Sequence, residues 1–230
     1  MKNKFILIFL ITFFSFVAFA QYDTLNSSFV GRWPGGRCLS VASAGNYAYI
    51  GDGGFFRIID ISTPSNPTLV GTLRTPGVVE GITIVDTLAY IADGNSGLRI
   101  VNIASVSNPV ELGYYDTPGT TYGVSISGNY AFLADGTSGL RVINITSLTT
   151  PTQAAFLNFS TAYDIDIEGN YAYVASSDAG LRIIDISVPT SPVLTKTFAT
   201  GNKGYGIDVV DTIAYIADYN AGLRLVNITN

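Results

Sequence analysis

The sequence predicts an all-β fold, a five-bladed β-propeller of four-stranded antiparallel blades. The first observation is a six-residue segment resembling Leu-Arg-Ile-Val-Asn-Ile, which occurs five times. Its arginines are spaced 42, 42, 41 and 42 residues apart, at Arg57, Arg99, Arg141, Arg182 and Arg224. A period near 40 residues built from short strands is typical of propeller blades, because a single blade is too small to bury its own apolar face. The second observation is that residues 21–230 show no helical periodicity.

The N-terminal residues 1–20 are predicted to be a secretory signal peptide. Lys2 and Lys4 supply the positive start, residues 5–19 the apolar run, and Ala18-Phe19-Ala20 the small-residue cleavage site. A retained membrane anchor is the alternative, but the run is short and passes directly into polar sequence. We therefore expect no membrane span after cleavage, a short linker at residues 21–27 and a propeller at residues 28–230.

The third repeat shows the predicted strands of one blade most clearly. We letter the strands from the propeller axis outward and expect strand A at residues 122–127, B at 130–134, C at 140–145 and D at 153–159. Short turns of small polar residues, β-branched runs and prolines outside the strand centres all fit an antiparallel sheet.

The fifth repeat stops after its C strand and has no D strand of its own. Residues 28–35, Ser-Phe-Val-Gly-Arg-Trp-Pro-Gly, resemble the D-strand region at residues 68–77. We therefore predict that the N-terminal strand completes the last blade and closes the ring, which would remove exposed sheet edges. The alternative is that the chain is part of a longer array of blades.

Composition limits the classes of partner and chemistry. Without residues 1–20 the chain has 10 basic and 17 acidic residues, a net charge of −7, which argues against nucleic acid and anionic membranes as partners. The chain has no histidine, which excludes Ser-His-Asp and Cys-His catalysis. Cys38 is the only cysteine, so no internal disulfide can form, and a small buried residue is favoured over a reactive thiol.

The repeat resembles a known family. The segment Leu181-Arg-Ile-Ile-Asp-Ile-Ser187, followed by Pro189 and Pro192, is similar to the LVIVD repeat of bacterial and archaeal surface proteins, as is Tyr171-Ala-Tyr-Val-Ala175. The resemblance implies a β-propeller at the cell surface, and it transfers no catalytic residue. Together with the signal peptide, it leads us to expect a protein that is secreted or displayed at the surface of a bacterium. The chain departs from the pattern at Phe55-Phe56, which replaces Gly-Leu, and in the last copy, which lacks its proline segment.

Residues repeated in every blade are predicted to serve the fold. The five arginines lie on strands rich in Ile and Val, and acidic residues recur at the B–C loops, where they would pair with the arginines and cap loop backbone. These acids are Asp52, Asp93, Asp135 and Asp218, with Asp178 beside Ser176 in the fourth blade. Calcium in these loops is a weaker alternative, because Asp93-Gly-Asn-Ser-Gly97 lacks the later acids of a calcium loop. We expect no cofactor.

Residues that differ between blades are the better candidates for function. The D–A and B–C connections fall on one face of the ring, where the A strands begin with residues of varied type. The candidate ligand-binding residues are Glu80, Tyr122, Tyr163, Asp164, Asp166, Tyr205 and Asp208. Aromatic rings with convergent polar groups suit a carbohydrate or peptide site. The alternative is that these side chains only plug a narrow channel.

Two classes of function remain. The first is a non-catalytic, monomeric binding, adhesion or scaffold module for a glycan or a protein. The second is a carboxylate-dependent glycoside hydrolase or lyase, because Asp166 and Asp208 occupy equivalent positions of adjacent blades. Because no catalytic motif is found, the binding module is favoured.

Overall fold

The computed structural model describes residues 29–229, and these residues form an all-β, five-bladed propeller. The first blade contains β1 (Cys38–Ala44), β2 (Tyr47–Asp52), β3 (Phe55–Asp60) and β4 (Thr68–Arg74). The second contains β5 (Gly81–Val85), β6 (Leu88–Ala92), β7 (Leu98–Asn102) and β8 (Val110–Tyr115). The third contains β9 (Gly123–Ser127), β10 (Tyr130–Ala134), β11 (Leu140–Asn144) and β12 (Thr152–Leu157). The fourth contains β13 (Ala162–Glu168), β14 (Tyr171–Ser176), β15 (Gly180–Asp185) and β16 (Val193–Ala199). The fifth contains β17 (Gly206–Val210), β18 (Ile213–Ala217) and β19 (Leu223–Asn227).

Each sheet is a simple meander in which sequential strands pair antiparallel. The first strands of successive blades pack against one another, so they form the innermost layer around the channel. The only helical residues in the described range are a 3₁₀ turn at Tyr219–Ala221. The predicted fold class, and the four strands predicted for the third blade, are confirmed to within one or two residues at their ends.

The hydrophobic core lies between blades rather than within them. One cluster joins the first and second blades around Phe56 and Ile91, and another joins the third and fourth around Phe132 and Val174. Further clusters lie between the second and third blades and between the fourth and fifth. A single blade therefore cannot bury its apolar face without a neighbour, as the repeat length implies.

The A–B hairpin turns share one backbone requirement. The turn residue has a positive φ in every blade, at Gly45 (56°), Asp86 (52°), Gly128 (55°), Gly169 (58°) and Asp211 (54°). Glycine and, less readily, aspartate tolerate this left-handed conformation. The Gly-Asn and Asp-Thr dipeptides are therefore two solutions to the same tight turn.

The junction between the fifth and first blades differs from the other four. The fifth sheet has three strands among the described residues, and pairing of residues 29–33 with β19 is not observed; Ser28 lies outside the described range. Leu223 and Leu225 of β19 are 64% and 60% exposed, whereas their equivalents Leu98 and Ile100 are fully buried. Among residues 29–229, nothing therefore covers the apolar face of the last blade.

The N-terminal segment nevertheless follows the path of an outer strand along the first blade. Gly31 lies against the backbone of Pro64, as its equivalent Gly71 lies against Val106 of the second blade. This contact places residues around Gly31 where the outer strand of a preceding blade belongs. Closure of the ring through this segment stays a prediction.

The expectation that Cys38 is buried is wrong, because its side chain is exposed. Cys38 begins β1, the innermost strand of the first blade, on the side where the fifth blade does not cover it. Val41 of the same strand is also exposed: 66% of its surface is accessible, compared with 6% for Val124 at the equivalent position of the third blade.

Candidate functional site

A cavity of about 670 Å³ opens at the channel where the innermost strands of all five blades meet. Its wall includes every residue that the sequence singled out for ligand binding: Glu80, Tyr122, Tyr163, Asp164, Asp166, Tyr205 and Asp208. The same wall includes the side chains of Ser40 and Thr83. These residues come together because each lies just before or within one of the innermost strands, whose side chains line the channel.

Tyrosines form a continuous row along one side of this cavity. The ring centroids of Tyr122 and Tyr163 are 5.5 Å apart, and those of Tyr163 and Tyr205 are 4.6 Å apart. Tyr219, from the B–C loop of the fifth blade, continues the row at 5.5 Å from Tyr205. The rings are tilted by 34° to 55° rather than stacked flat, which is a favourable arrangement for aromatic pairs. The row spans three blades and joins D–A connections to a B–C loop, so these connections share one face.

The backbone around the fourth blade's tyrosine is irregular. The pairing of β13 with β14 shifts register between Ala162 and Asp164, which is a bulge that re-aims the side chains there. Asp164 occupies the repeat position that is glycine in the neighbouring blades, at Gly123 and Gly206. A Cβ at Gly123 would lie 2.9 Å from the Oδ1 atom of Asp164, so this glycine provides space for the carboxylate.

The carboxylates of the fourth blade are bound to the backbone of the fifth. Asp164 Oδ2 accepts a hydrogen bond from the Ile207 N–H at 3.0 Å, and Asp166 Oδ2 accepts one from the Val209 N–H at 2.7 Å. Their Oδ1 atoms accept from the N–H groups of the residues that follow them in β13, at 2.9 and 2.8 Å. Both aspartates therefore join two innermost strands, in addition to lining the cavity.

The earlier blades make similar links with hydroxyl groups. Ser40 Oγ donates to the carbonyl of Val79 at 3.3 Å, and Thr83 Oγ1 donates to the carbonyl of Val124 at 2.6 Å. The sequence did not reveal these links, because they depend on the distance between neighbouring A strands. The signal for them is a short polar residue at alternate positions of the A strand.

Burial and like charge change the acidity of the cavity carboxyls. Burial raises the pKa of Asp164 to about 6, the two backbone hydrogen bonds oppose this, and the nearby carboxylates of Asp166 and Asp208 add to it. Burial also raises the pKa of Glu80, and the positive charge of Arg37 partly offsets this. Glu80 and Asp208 form no hydrogen bond with another described residue, so their oxygens face the cavity unpaired.

The arginine column pairs with the B–C loop acids in all five blades. The ion pairs are Arg57–Asp52 (2.8 Å), Arg99–Asp93 (3.6 Å), Arg141–Asp135 (3.6 Å), Arg182–Asp178 (2.7 Å) and Arg224–Asp218. The acids also accept hydrogen bonds from the preceding D–A connection, for example from the Gly77 N–H to Asp93 and from the Thr200 hydroxyl to Asp218. The contacts place this column in the framework rather than on the cavity wall.

Within residues 29–229, aromatic rings cover four of the five arginines, a contact that was not predicted from the sequence. The guanidinium carbons of Arg99 and Arg141 lie 4.5 Å and 4.9 Å from the ring centroids of Tyr114 and Phe156. Tyr114 and Phe156 lie directly opposite these arginines in the pairing of the third and fourth strands of each blade. Aligning the predicted C strand with the predicted D strand of a blade would therefore have predicted these two contacts. Phe55 also covers its arginine, with its ring centroid 5.0 Å from the guanidinium carbon of Arg57.

Within residues 29–229, no group of three or more His, Cys, Asp or Glu side chains has a geometry that would hold a metal ion. In the same range, no helix is both long and apolar enough to cross a membrane.

The arrangement of the five sheets makes the protein a β-propeller, and two solved structures are similar to it in fold. A functionally unknown protein from Desulfotomaculum acetoxidans DSM 771 is similar in structure, with a TM-score of 0.68 at 15% identity over 87% of this chain and 74% of that chain. The computationally designed Ika8 protein is also similar, with a TM-score of 0.66 at 13% identity over 83% of this chain. This chain spans 58% of the designed protein's length. At such identities the likeness shows the fold alone.

The repeat then identifies the family. The family model of the LVIVD repeat matches residues 35–75, 76–117, 118–156 and 160–200, so the chain belongs to the LVIVD repeat family. The predicted family is confirmed. No curated protein matches the sequence.

Proposed function

We propose that this chain is an exported, non-catalytic binding module that recognises a glycan or a protein at the tyrosine-lined cavity. The observation that carries the proposal is the row of Tyr122, Tyr163 and Tyr205 along an open cavity of about 670 Å³, which Tyr219 extends beyond the cavity wall. A volume of this size falls in the range of ligand sites. Tyrosine provides a large contact area at low entropic cost, so it is a frequent anchor in recognition surfaces.

The location of the module rests on the N-terminal sequence. Lys2, Lys4 and the apolar run before Ala20 have the features of a secretory signal. The acidic surface left after its removal is compatible with a protein released from or displayed on the cell. We therefore propose that the protein is exported.

The contacts of the carboxylates favour binding over hydrolysis. A carboxylate pair in a glycoside hydrolase needs one free nucleophile or base and one free acid. Both oxygens of Asp166 already accept backbone hydrogen bonds, and both oxygens of Asp164 do the same. We therefore assign these two residues to holding the A strands together and shaping the cavity.

The test is a glycan and peptide array probed with the purified protein lacking residues 1–20, beside two variants. Tyr163→Ala removes the central ring of the row, whereas Asn170→Ala changes an exposed residue at the far end of the same strand hairpin. We expect binding by the parent and by Asn170→Ala, and at least tenfold weaker binding by Tyr163→Ala. Equal binding by all three proteins would show that recognition does not use this cavity, and hydrolysis of a bound glycan would establish the enzyme alternative.

A further inference from the structure

The hydrogen-bonding groups of the cavity wall are strongly unbalanced. Its charged side chains are all carboxylates: Glu80, Asp164, Asp166 and Asp208. Carboxylates accept hydrogen bonds and donate none when ionised. Within the described residues the wall contains no Lys, Arg, Asn, Gln or Trp side chain, so nitrogen donors are missing from its side chains.

The hydroxyl donors of the wall are partly used already. Ser40 and Thr83 donate to the carbonyls of Val79 and Val124, so their protons are not available to a ligand. The tyrosine hydroxyls are partly used as well, because Tyr163 and Tyr205 share a side-chain hydrogen bond, which takes up one of their two hydroxyl protons. Even the bound aspartate oxygens retain a second lone pair that can accept a hydrogen bond. The wall therefore offers many acceptors and few donors.

A ligand for such a wall must carry an excess of donors. A carboxylate, sulfate or phosphate would bring more acceptors and a like charge, and burying it without a partner is costly. An extended peptide brings one carbonyl acceptor for nearly every N–H donor, so about half of its backbone groups would lack partners here. A sugar is different, because each hydroxyl can rotate to donate to a carboxylate while the ring packs on an aromatic face.

We propose that the cavity binds a glycan whose substituents are hydroxyl or amino groups, and that it rejects acidic glycans. This inference rests on the proposed function and narrows its ligand from glycan or protein to non-acidic glycan. The tyrosine row supplies the stacking surface for successive sugar rings, and Glu80 and Asp208 supply the free acceptors. Amino sugars gain a further attraction, because an ammonium group is favoured both by the carboxylates and by the faces of tyrosine rings.

The experiment compares matched oligosaccharides with the protein lacking residues 1–20. The probes are β-1,4-linked tetrasaccharides of glucose, glucosamine and glucuronic acid, together with neutral, amino and uronic members of the other linkages on a glycan array. We expect at least tenfold weaker binding of the uronic member than of its neutral counterpart for every linkage that binds. The amino member should bind at least as tightly as the neutral one. Its affinity should fall as salt is added, because salt screens the charge of the carboxylates.

Two charge variants test the cause of this selectivity. Glu80→Gln converts a pure hydrogen-bond acceptor into a group that also donates. It should therefore lower the ratio of the affinities for the neutral and the uronic oligosaccharide by at least threefold. Glu168→Gln is the matched control, because Glu168 is exposed at the opposite end of β13 and does not line the cavity. An equal effect of both variants would assign the selectivity to the overall negative charge and overturn the inference.

The outcomes separate this inference from the proposed function. Preferential binding of uronic, sulfated or peptide ligands that is lost in Tyr163→Ala would overturn the assignment of a non-acidic glycan and leave the tyrosine site standing. Binding of neutral glycans that Tyr163→Ala leaves intact would overturn the site itself. Binding of neutral or amino glycans that requires Tyr163 supports both.

Discussion

Replacing Arg141 by alanine should destabilise the protein strongly without acting on the cavity. Arg141 is 8% exposed and lies 3.6 Å from the carboxylate of Asp135, which is fully buried. Removing one partner of a buried ion pair typically costs about 3 to 5 kcal/mol, because the other charge stays buried. Asp135 would keep three hydrogen bonds, from the Gly119 N–H and the hydroxyls of Thr117 and Thr121. We therefore expect a loss near the lower limit, about 3 kcal/mol.

The magnitude can be tested by urea unfolding followed by circular dichroism. For a chain of about 200 residues, a loss of about 3 kcal/mol corresponds to a thermal midpoint lower by roughly 6 to 12 °C. Arg74→Ala on the outer strand β4 is the matched control, since Arg74 is exposed and its removal should cost less than about 0.5 kcal/mol. In an Asp135→Asn background, Arg141→Ala should cost only about 1 kcal/mol, because no buried charge is left without its partner.

Two results would contradict this reasoning. If Arg141→Ala unfolds at the same urea concentration as Arg74→Ala, the arginine column does not support the fold. If Arg141→Ala is normally stable but binds no ligand, the column belongs to the recognition site instead.

Three further predictions follow from the innermost strands and the N-terminal segment. The ionised form of Asp164 is disfavoured by folding, so its contribution to stability should fall by about 3 kcal/mol in total as pH rises from about 3 to about 7. The difference in unfolding free energy between the parent and Asp164→Asn, measured by urea titration across this range, should show that slope, and a flat difference would show that the carboxyl is not perturbed. Gly123→Ala places a Cβ 2.9 Å from the Asp164 carboxylate and should lower the free energy of unfolding by about 1 to 3 kcal/mol. Gly206→Ala is the control, because its Cβ meets only an ordinary contact at 3.6 Å and should leave stability almost unchanged. Equal denaturation midpoints for the two variants would contradict the close approach of Gly123 to Asp164. Deleting residues 21–36 should lower the thermal midpoint sharply. It should also promote association through the exposed edge of the last blade, which light scattering would detect. An unchanged thermal midpoint would show that this segment does not close the ring.

Much of the architecture could be predicted because the repeat fixes it. The spacing of 41 or 42 residues between the arginines predicts the size of a blade, and the five copies predict the number of blades. Equivalent positions of a repeat must lie at equivalent places around an axis. For the same reason Tyr122, Tyr163 and Tyr205 could be assigned to one cavity from their place at the starts of A strands. Their common face follows from strand order alone and needs no side-chain geometry.

The features that could not be predicted depend on packing between blades. The bonds from Asp164 and Asp166 to the fifth blade require the actual separation of two A strands, which no single-blade pattern contains. The aromatic cover over Arg182 comes from Phe159 of the previous blade, so it also needs the assembled ring. The exposure of Cys38 follows from the junction of the last and first blades, where the repeat pattern is interrupted.

The most direct test of the cavity as the recognition surface is an NMR titration of ¹⁵N-labelled protein lacking residues 1–20 with its best glycan ligand. We predict that the amide signals of Gly123, Tyr205 and Ile207, which line the cavity, shift progressively and saturate together. The amides of Asn129 and Asn170, in the hairpin turns of the opposite face, should not shift. Saturable shifts confined to those turns, with none along the tyrosine row, would contradict the account.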